Sequence, residues 1–279
     1  FDTLLSPCLE FTPLSIGDHS GLTLWEIAAL RGGVGVAEGW EIDPDRTPAG
    51  ATPGSAPGGD SVADFLDPEV MHRVDPTAVA LRQELAAALA DDAEVMRHLQ
   101  RSLGGGPGVA AFSFPGLDRV AHAFLRYDQP QAFGNVSNED VDMYGGVLER
   151  YYRSIDAIVG RTMQATADDP EAILFVTSSH GMEPDPLRRR IVGLLAGIEP
   201  SGGTHVDGPD GFLFARGPSI RRGQMFGKGS LVDVTPTALY ALGLPLARDL
   251  DGVLLTGLFT PRYVLEHPVA VLGSYETTR

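Results

Sequence analysis

The sequence holds one cysteine, Cys8, in 279 residues. That excludes an internal disulfide framework and a thiolate metal cluster. No apolar run is long enough to span a bilayer. No basic stretch followed by an apolar core opens the chain. The first residue is Phe1, not methionine, so an upstream stretch is expected and the compartment stays open. Positive charge is scarce, with 21 Lys and Arg against 37 Asp and Glu, a net charge of −16 and a pI of 4.7. Such a surface argues against a nucleic-acid polymer as the main partner. It leaves room for a small phosphate substrate, because bound cations reverse the local field. No internal repeat is present. What is there is a chain of 43% hydrophobic residues with a mean hydropathy near zero, the composition of a soluble globular protein. Its length suits one large α/β domain or two ordinary ones.

Along the chain, strand and helix patterns alternate. A capped helix is expected at Leu24–Leu30, ended by Gly32-Gly33, and a short strand at Val34–Trp40. Glu41–Asp60 is rich in Pro, Gly, Ala and Thr without periodicity. It reads as a long loop, either over a site or simply on the surface. Pro76 opens a helix to about Leu103, with Leu81, Leu85, Leu89, Val95 and Leu99 on its buried stripe and His98 as a structural residue. Val109–Phe114 reads as a buried strand, broken by Pro115-Gly116. Asp118 and His122 then open a helix. A long helix is expected from Val141 to about Ala167, with Tyr144, Leu148, Tyr151, Tyr152, Ile155 and Ile158 as core positions. Ala172–Val176 is a β-branched, apolar strand that runs into Thr177-Ser-Ser-His-Gly-Met182. A short helix at Arg188–Ala196, a turn at Asp207–Asp210, a strand at Gly211–Arg216 and a helix at Leu231–Leu242 follow. Gly243 and Pro245 stop the last. This alternation predicts an α/β fold with a largely parallel sheet.

The chemistry gathers at three strand ends. Asp118 and His122 stand at i and i+4, so a helix puts both on one face. His180 follows the second strong strand, and His205 follows Gly202-Gly-Thr. Neutral imidazole and carboxylate oxygen are good zinc ligands, and two His with one Asp leave a position open for water or substrate. Each histidine alone is more often a satisfied polar residue than a ligand. Together, beside glycines at strand-to-loop junctions, they form a candidate metal set. His19, His72, His98 and His267 lack that setting and read as structural or surface residues.

These segments carry a resemblance. Asp118-Arg-Val-Ala-His122, Thr177–Met182, Gly203-Thr-His205 with Asp210-Gly-Phe-Leu-Phe-Ala-Arg-Gly-Pro218, and Asp233-Val-Thr-Pro-Thr237 with Leu242-Gly-Leu-Pro245 and Asp249-Leu-Asp-Gly252 resemble the alkaline phosphatase superfamily. Within it they look like the type I phosphodiesterase/nucleotide pyrophosphatase family. The likeness is clearest from about Gly108 to Gly252, and Leu24-Trp25 to Trp40 also fits. It implies an alkaline-phosphatase-like α/β fold, a largely parallel central sheet with helices on both faces, as a single domain over residues 1–279. It implies a metal-dependent phosphoester hydrolase with two zinc ions at the carboxyl ends of the strands. Asp118, His122 and His205 match the ligands of one ion, and His180 matches a ligand of the other. A Thr or Ser nucleophile attacks phosphorus in that family, giving a covalent phospho-enzyme that water resolves.

Two departures stand out. The carboxylate that should precede His180 is Ser179 here, and a neutral hydroxyl is a poor substitute on a dication. The family's amino-terminal strand, with a metal Asp and the nucleophile, has no counterpart, since Asp2-Thr3 and Asp18 follow no buried strand. No catalytic nucleophile is therefore assigned. The chain is expected to be the carboxy-terminal part of a hydrolase, active once its amino-terminal part is present. The alternative is a non-catalytic relative acting as a binding or structural protein. Sulfatases fit less well, because Ser6-Pro-Cys8-Leu-Glu lacks their C-x-P-x-R setting. Cofactor-independent phosphoglycerate mutases share the metal logic without these flanking motifs. Nucleotides, phospholipid head groups, glycan phosphates and phosphonates all suit the family as substrates.

Overall fold

The computed structural model describes residues 22–30, 34–38, 60–103, 108–134, 136–187, 202–206 and 208–275, with 191 and 195. The loop expected at 41–60 falls outside them except for Asp60. So do Cys8, His19 and most of the helix expected at 188–196. Thr23 starts helix α1 (Leu24–Leu30) with a reciprocal cap. Its backbone N–H and hydroxyl donate to the Glu26 carboxylate, and its Oγ1 accepts from Glu26 N. Strand β1 (Val34–Glu38) follows, and then two single-turn helices, α2 (Val62–Phe65) and α3 (Pro68–Met71). Asp75 accepts from Ala78 N at 2.9 Å and, with Pro76 in the first turn, opens α4 (Pro76–Ser102). Strand β2 (Gly108–Phe112) runs parallel to β1, with Val34 opposite Gly108 and Glu38 opposite Phe112.

The next stretch is helical. It comprises α5 (Gly116–Asp128), α6 (Pro130–Phe133), α7 (Asn138–Tyr144) and α8 (Val147–Ala165). The single helix expected over 141–167 is therefore two. Ser137 caps α7 through Asp140 N, and the Gly145-Gly146 pair separates it from α8. Strand β3 (Leu174–His180) extends the apolar run as far as the candidate histidine and pairs with β4 (Asp210–Arg216). A 3₁₀ turn at Leu231–Asp233 leads into α9 (Val234–Ala241). Strand β5 (Leu246–Ala247), α10 (Pro261–Glu266) and β6 (Val271–Leu272) complete the described chain.

Helices and small sheets make this an α/β protein. Among the described residues there are three two-stranded sheets, and no single central sheet joins them. β1–β2 and β5–β6 are parallel, whereas β3–β4 is antiparallel. The pattern on β4 explains the difference. Exposure alternates strictly along it, with Phe212 and Phe214 outward and Leu213 and Ala215 inward against Ile220, Tyr240 and Phe259. One wet face and one packed face are typical of antiparallel pairs.

The largest core lies where α5 packs between α4 and α8. Val120 and Phe124 of α5, Leu85 and Ala88 of α4 and Val147 of α8 are fully buried. Burial of each large apolar side chain contributes about 1.5–3 kcal/mol. One carboxylate sits in this core. Asp92 of α4 is 7% exposed, accepts the Gly116 backbone N–H at 2.9 Å, and accepts the Tyr151 hydroxyl at 2.7 Å. Burial raises its pKa above the usual carboxylate value, against the two hydrogen bonds that lower it. Gly116 leaves no room for a side chain, since a Cβ there would overlap the Tyr151 hydroxyl and lie 2.5 Å from Asp92 Oδ2.

Two outcomes are expected. Gly116→Ala should cost about 1–3 kcal/mol of unfolding free energy, read by denaturant titration. A raised native pKa means that Asp92 binds a proton more readily folded than unfolded. Its contribution is thus full below the unfolded carboxyl pKa of about 3.9 and declines as pH rises through the native value. The stability of the wild type relative to Asp92→Asn should therefore fall as pH rises from about 4 toward neutrality. A difference that stays flat over that range would contradict it.

Candidate metal centre

Helix α5 joins the first two candidates. Asp118 and His122 lie one turn apart on its open side, and His122 Nε2 is 3.5 Å from Asp118 Oδ2. Their side chains are 46% and 36% exposed, open enough for a small ligand to reach. Arg119 turns the other way, toward Glu84 and Asp91 of α4 at 3.4 and 3.3 Å. Its charge is thus directed away from the Asp118 carboxylate.

His205 arrives on a return segment laid against α5. After β3, Gly181 N–H donates to Pro209 O at 2.7 Å, and Glu183 and Thr204 exchange both backbone bonds. Gly202 N–H then donates to the His122 carbonyl at 2.9 Å. A Cβ on Gly202 would lie 2.5 Å from that oxygen, so only glycine permits the approach. One residue on, the Gly203 carbonyl stands 2.8 Å from His122 Nδ1. A carbonyl only accepts, so Nδ1 donates to it and Nε2 is the nitrogen that faces Asp118.

The His205 ring meets His122 edge-on at 5.2 Å between centroids and stacks on His180 at 4.2 Å. Burial holds the His205 pKa below the ordinary histidine value, and the neighbouring His180 acts in the same direction, while Asp118 opposes. The imidazole is thus biased to its neutral form. Donor atoms of Asp118, His122 and His205 all lie within 4.8 Å of one another. Two imidazoles and a carboxylate are donors of the kind that hold a divalent metal ion. A backbone carbonyl fixing the far nitrogen is the outer partner that metal-binding histidines usually have. The residues fit a divalent ion of this kind.

The fourth candidate, His180, touches the group through the His205 ring and stands outside the three-donor set. Ser179 beside it is exposed, and Ser178 Oγ donates to the His180 carbonyl at 2.7 Å. Directly across the ribbon from His180 is Asp210, whose carboxylate lies 2.8 Å from Lys228 Nζ. That bond lowers the Asp210 pKa. The histidines set aside lie elsewhere: His72 ends α3, His98 is within α4, and His267 stacks on Tyr263 at 4.1 Å. Sequence reasoning missed Asp92. Its signal was present, because residues 81, 85, 88, 92, 95 and 99 form the buried stripe of α4 and only position 92 is charged.

Gly202→Ala should lift the return segment from α5, breaking the His122–Gly203 bond at a cost of about 1–3 kcal/mol. Side-chain NMR checks this: the His122 ring signals should move with the substitution, and unchanged signals would show that the contact tolerates a methyl group.

No curated protein and no solved structure matches the chain. No helix of the described residues is long and apolar enough to cross a membrane. The family model for type I phosphodiesterase / nucleotide pyrophosphatase matches residues 23–234, which include all four candidate ligands. That family acts on small phosphoester substrates, generally with metal. With most of its length matched and the Asp118, His122 and His205 donors gathered at one point, the chain belongs to the type I phosphodiesterase/nucleotide pyrophosphatase family.

Proposed function

We propose that this chain is a zinc-dependent phosphoester hydrolase or the carboxy-terminal part of one, with one ion held by Asp118, His122 and His205. The observation that carries the reading is the convergence of those three donors within 4.8 Å, with the His122 ring oriented by the Gly203 carbonyl. We further infer that the three ribbons belong to one larger, mostly parallel sheet with helices on both faces, in a single domain over residues 1–279. The parallel pairing of β1–β2 and β5–β6 supports that inference.

The roles of the chain's own residues follow from their surroundings. Asp118 brings the negative charge that offsets a dication. The Gly203 carbonyl orients the His122 ring with Nε2 toward Asp118, and burial lowers the His205 pKa. A zinc ion bound there would supply Lewis-acid polarisation of a phosphoryl or leaving-group oxygen. His180, stacked on His205, is the residue that the family pattern assigns to a second ion. The net charge of −16 disfavours a nucleic-acid polymer as substrate and suits a small phosphoester drawn in by bound cations.

One observation favours a second reading. Ser179 stands where the family pattern has a carboxylate before His180, and Asp210 across the ribbon is engaged by Lys228. A non-catalytic relative that binds phosphoesters would carry such a change.

Zinc content separates the readings. The purified protein, stripped with a mild chelator and reloaded, should retain about one tightly held zinc per chain. His205→Ala should lose it, and unchanged zinc in that variant would show that the ligand assignment is wrong. The zinc-loaded full-length protein should hydrolyse an activated aryl phosphodiester and stop on chelation. Full zinc occupancy without hydrolysis would favour the binding protein.

A further inference from the structure

The first two turns of α5 carry two of the three donors, Asp118 and His122, yet the local sequence supplies no side-chain cap. Pro115 precedes it and offers no side-chain hydrogen bond. The N–H of Gly116 would be an orphan in the core, a costly state for a buried donor. The cap comes from 24 residues upstream, where Asp92 Oδ1 accepts that N–H. Tyr151 fixes the other carboxylate oxygen, so Asp92 is held from α8 while it holds α5.

We propose that Asp92 is a positioning residue of the metal centre, setting the height and rotation of α5 so that Asp118 and His122 converge on His205. The proposal rests on the site reading above. Three observations carry it. First, Asp118 is two residues from the held N–H and His122 one turn beyond, so a slip of α5 by one residue would turn both donors by about 100°. Second, α5 has a further backbone lock on this side, where Gly202 N–H meets the His122 carbonyl. The donors lie between the two locks, and the relation of His205 to them depends on both. Third, position 92 is otherwise part of an apolar stripe. A leucine there would fill the core without desolvating a carboxylate, which is expensive. What the carboxylate adds is a directional bond to one N–H of the site helix.

The test uses Asp92→Ala, Asp92→Asn and Asp92→Leu in the full chain. It reads zinc affinity by competition with a chromophoric chelator and the His122 and His205 ring signals by NMR without metal. Asp92→Ala should weaken zinc binding about tenfold or more, the lower end of what outer-shell partners contribute, and should move both ring signals. Asp92→Asn keeps an acceptor for Gly116 N–H and should restore both readouts. Lower thermal stability in Asp92→Ala with unchanged zinc affinity and unchanged ring signals would reduce Asp92 to a structural residue and overturn the proposal. Should Asp92→Ala fail to fold, Asp92→Leu decides, because it fills the space and offers the Gly116 N–H no acceptor. Displaced ring signals uphold the proposal, and wild-type signals overturn it. A wild type that binds no zinc defeats the site reading instead, and the metal-free ring signals still decide the role of Asp92.

Discussion

A buried N–H must find an acceptor, and much of this structure follows from where one such group found it. The start of α5 lies inside the α4–α8 core with a proline where a capping side chain would stand. Asp92 meets that need from the neighbouring helix, and glycine at 116 is the consequence, because the carboxylate and the Tyr151 hydroxyl occupy the space of a side chain. With its start fixed, α5 turns Val120 and Phe124 inward and Asp118 and His122 outward. The return segment 202–205 then settles against its second turn through two glycines. The candidate metal centre is thus the outer side of a helix whose inner side is core.

How much of this could be read beforehand depended on whether the signal was local. The i, i+4 spacing of Asp118 and His122 needs only a helix to become a shared face, and the structure supplies that helix. The end of α9 was equally local. Gly243 adopts a φ of 69° there and donates to the Tyr240 carbonyl, while Leu244 N–H reaches Leu239. The meeting of His205 with His122 spans more than eighty residues and was readable through the family pattern, not through periodicity. The direction of β4 was not readable. Nothing in Gly211–Arg216 states which neighbour it takes, and alternation fits an antiparallel ribbon as well as an edge strand. The split between α7 and α8 was missed because apolar spacing continues across Gly145-Gly146. Asp92 was missed because its neighbours in the stripe are the apolar residues a helix search rewards.

The electrostatics of the centre are local and work against the molecule as a whole. A chain of net charge −16 repels anions at long range. The basic residue closest in sequence to Asp118, Arg119, is engaged with Glu84 and Asp91. Such half-exposed pairs contribute little stability, about 0–1 kcal/mol each, but they orient the guanidinium. Lys228 is likewise engaged by Asp210 across from His180. The side chains around the centre therefore offer donors for a cation more readily than cations for a phosphate. That matches a site in which bound metal supplies the positive charge.

The outward face of β4 has a consequence for how the protein behaves in solution. Phe212 and Phe214 lie side by side there, 47% and 67% exposed, with ring centroids 4.9 Å apart. At neutral pH the surplus of carboxylates keeps molecules apart and this greasy strip from meeting its like. Near pH 4.7 that mutual repulsion vanishes. Clouding should then set in before the acid limb of any titration is complete, and added salt should bring it on earlier by screening what charge remains.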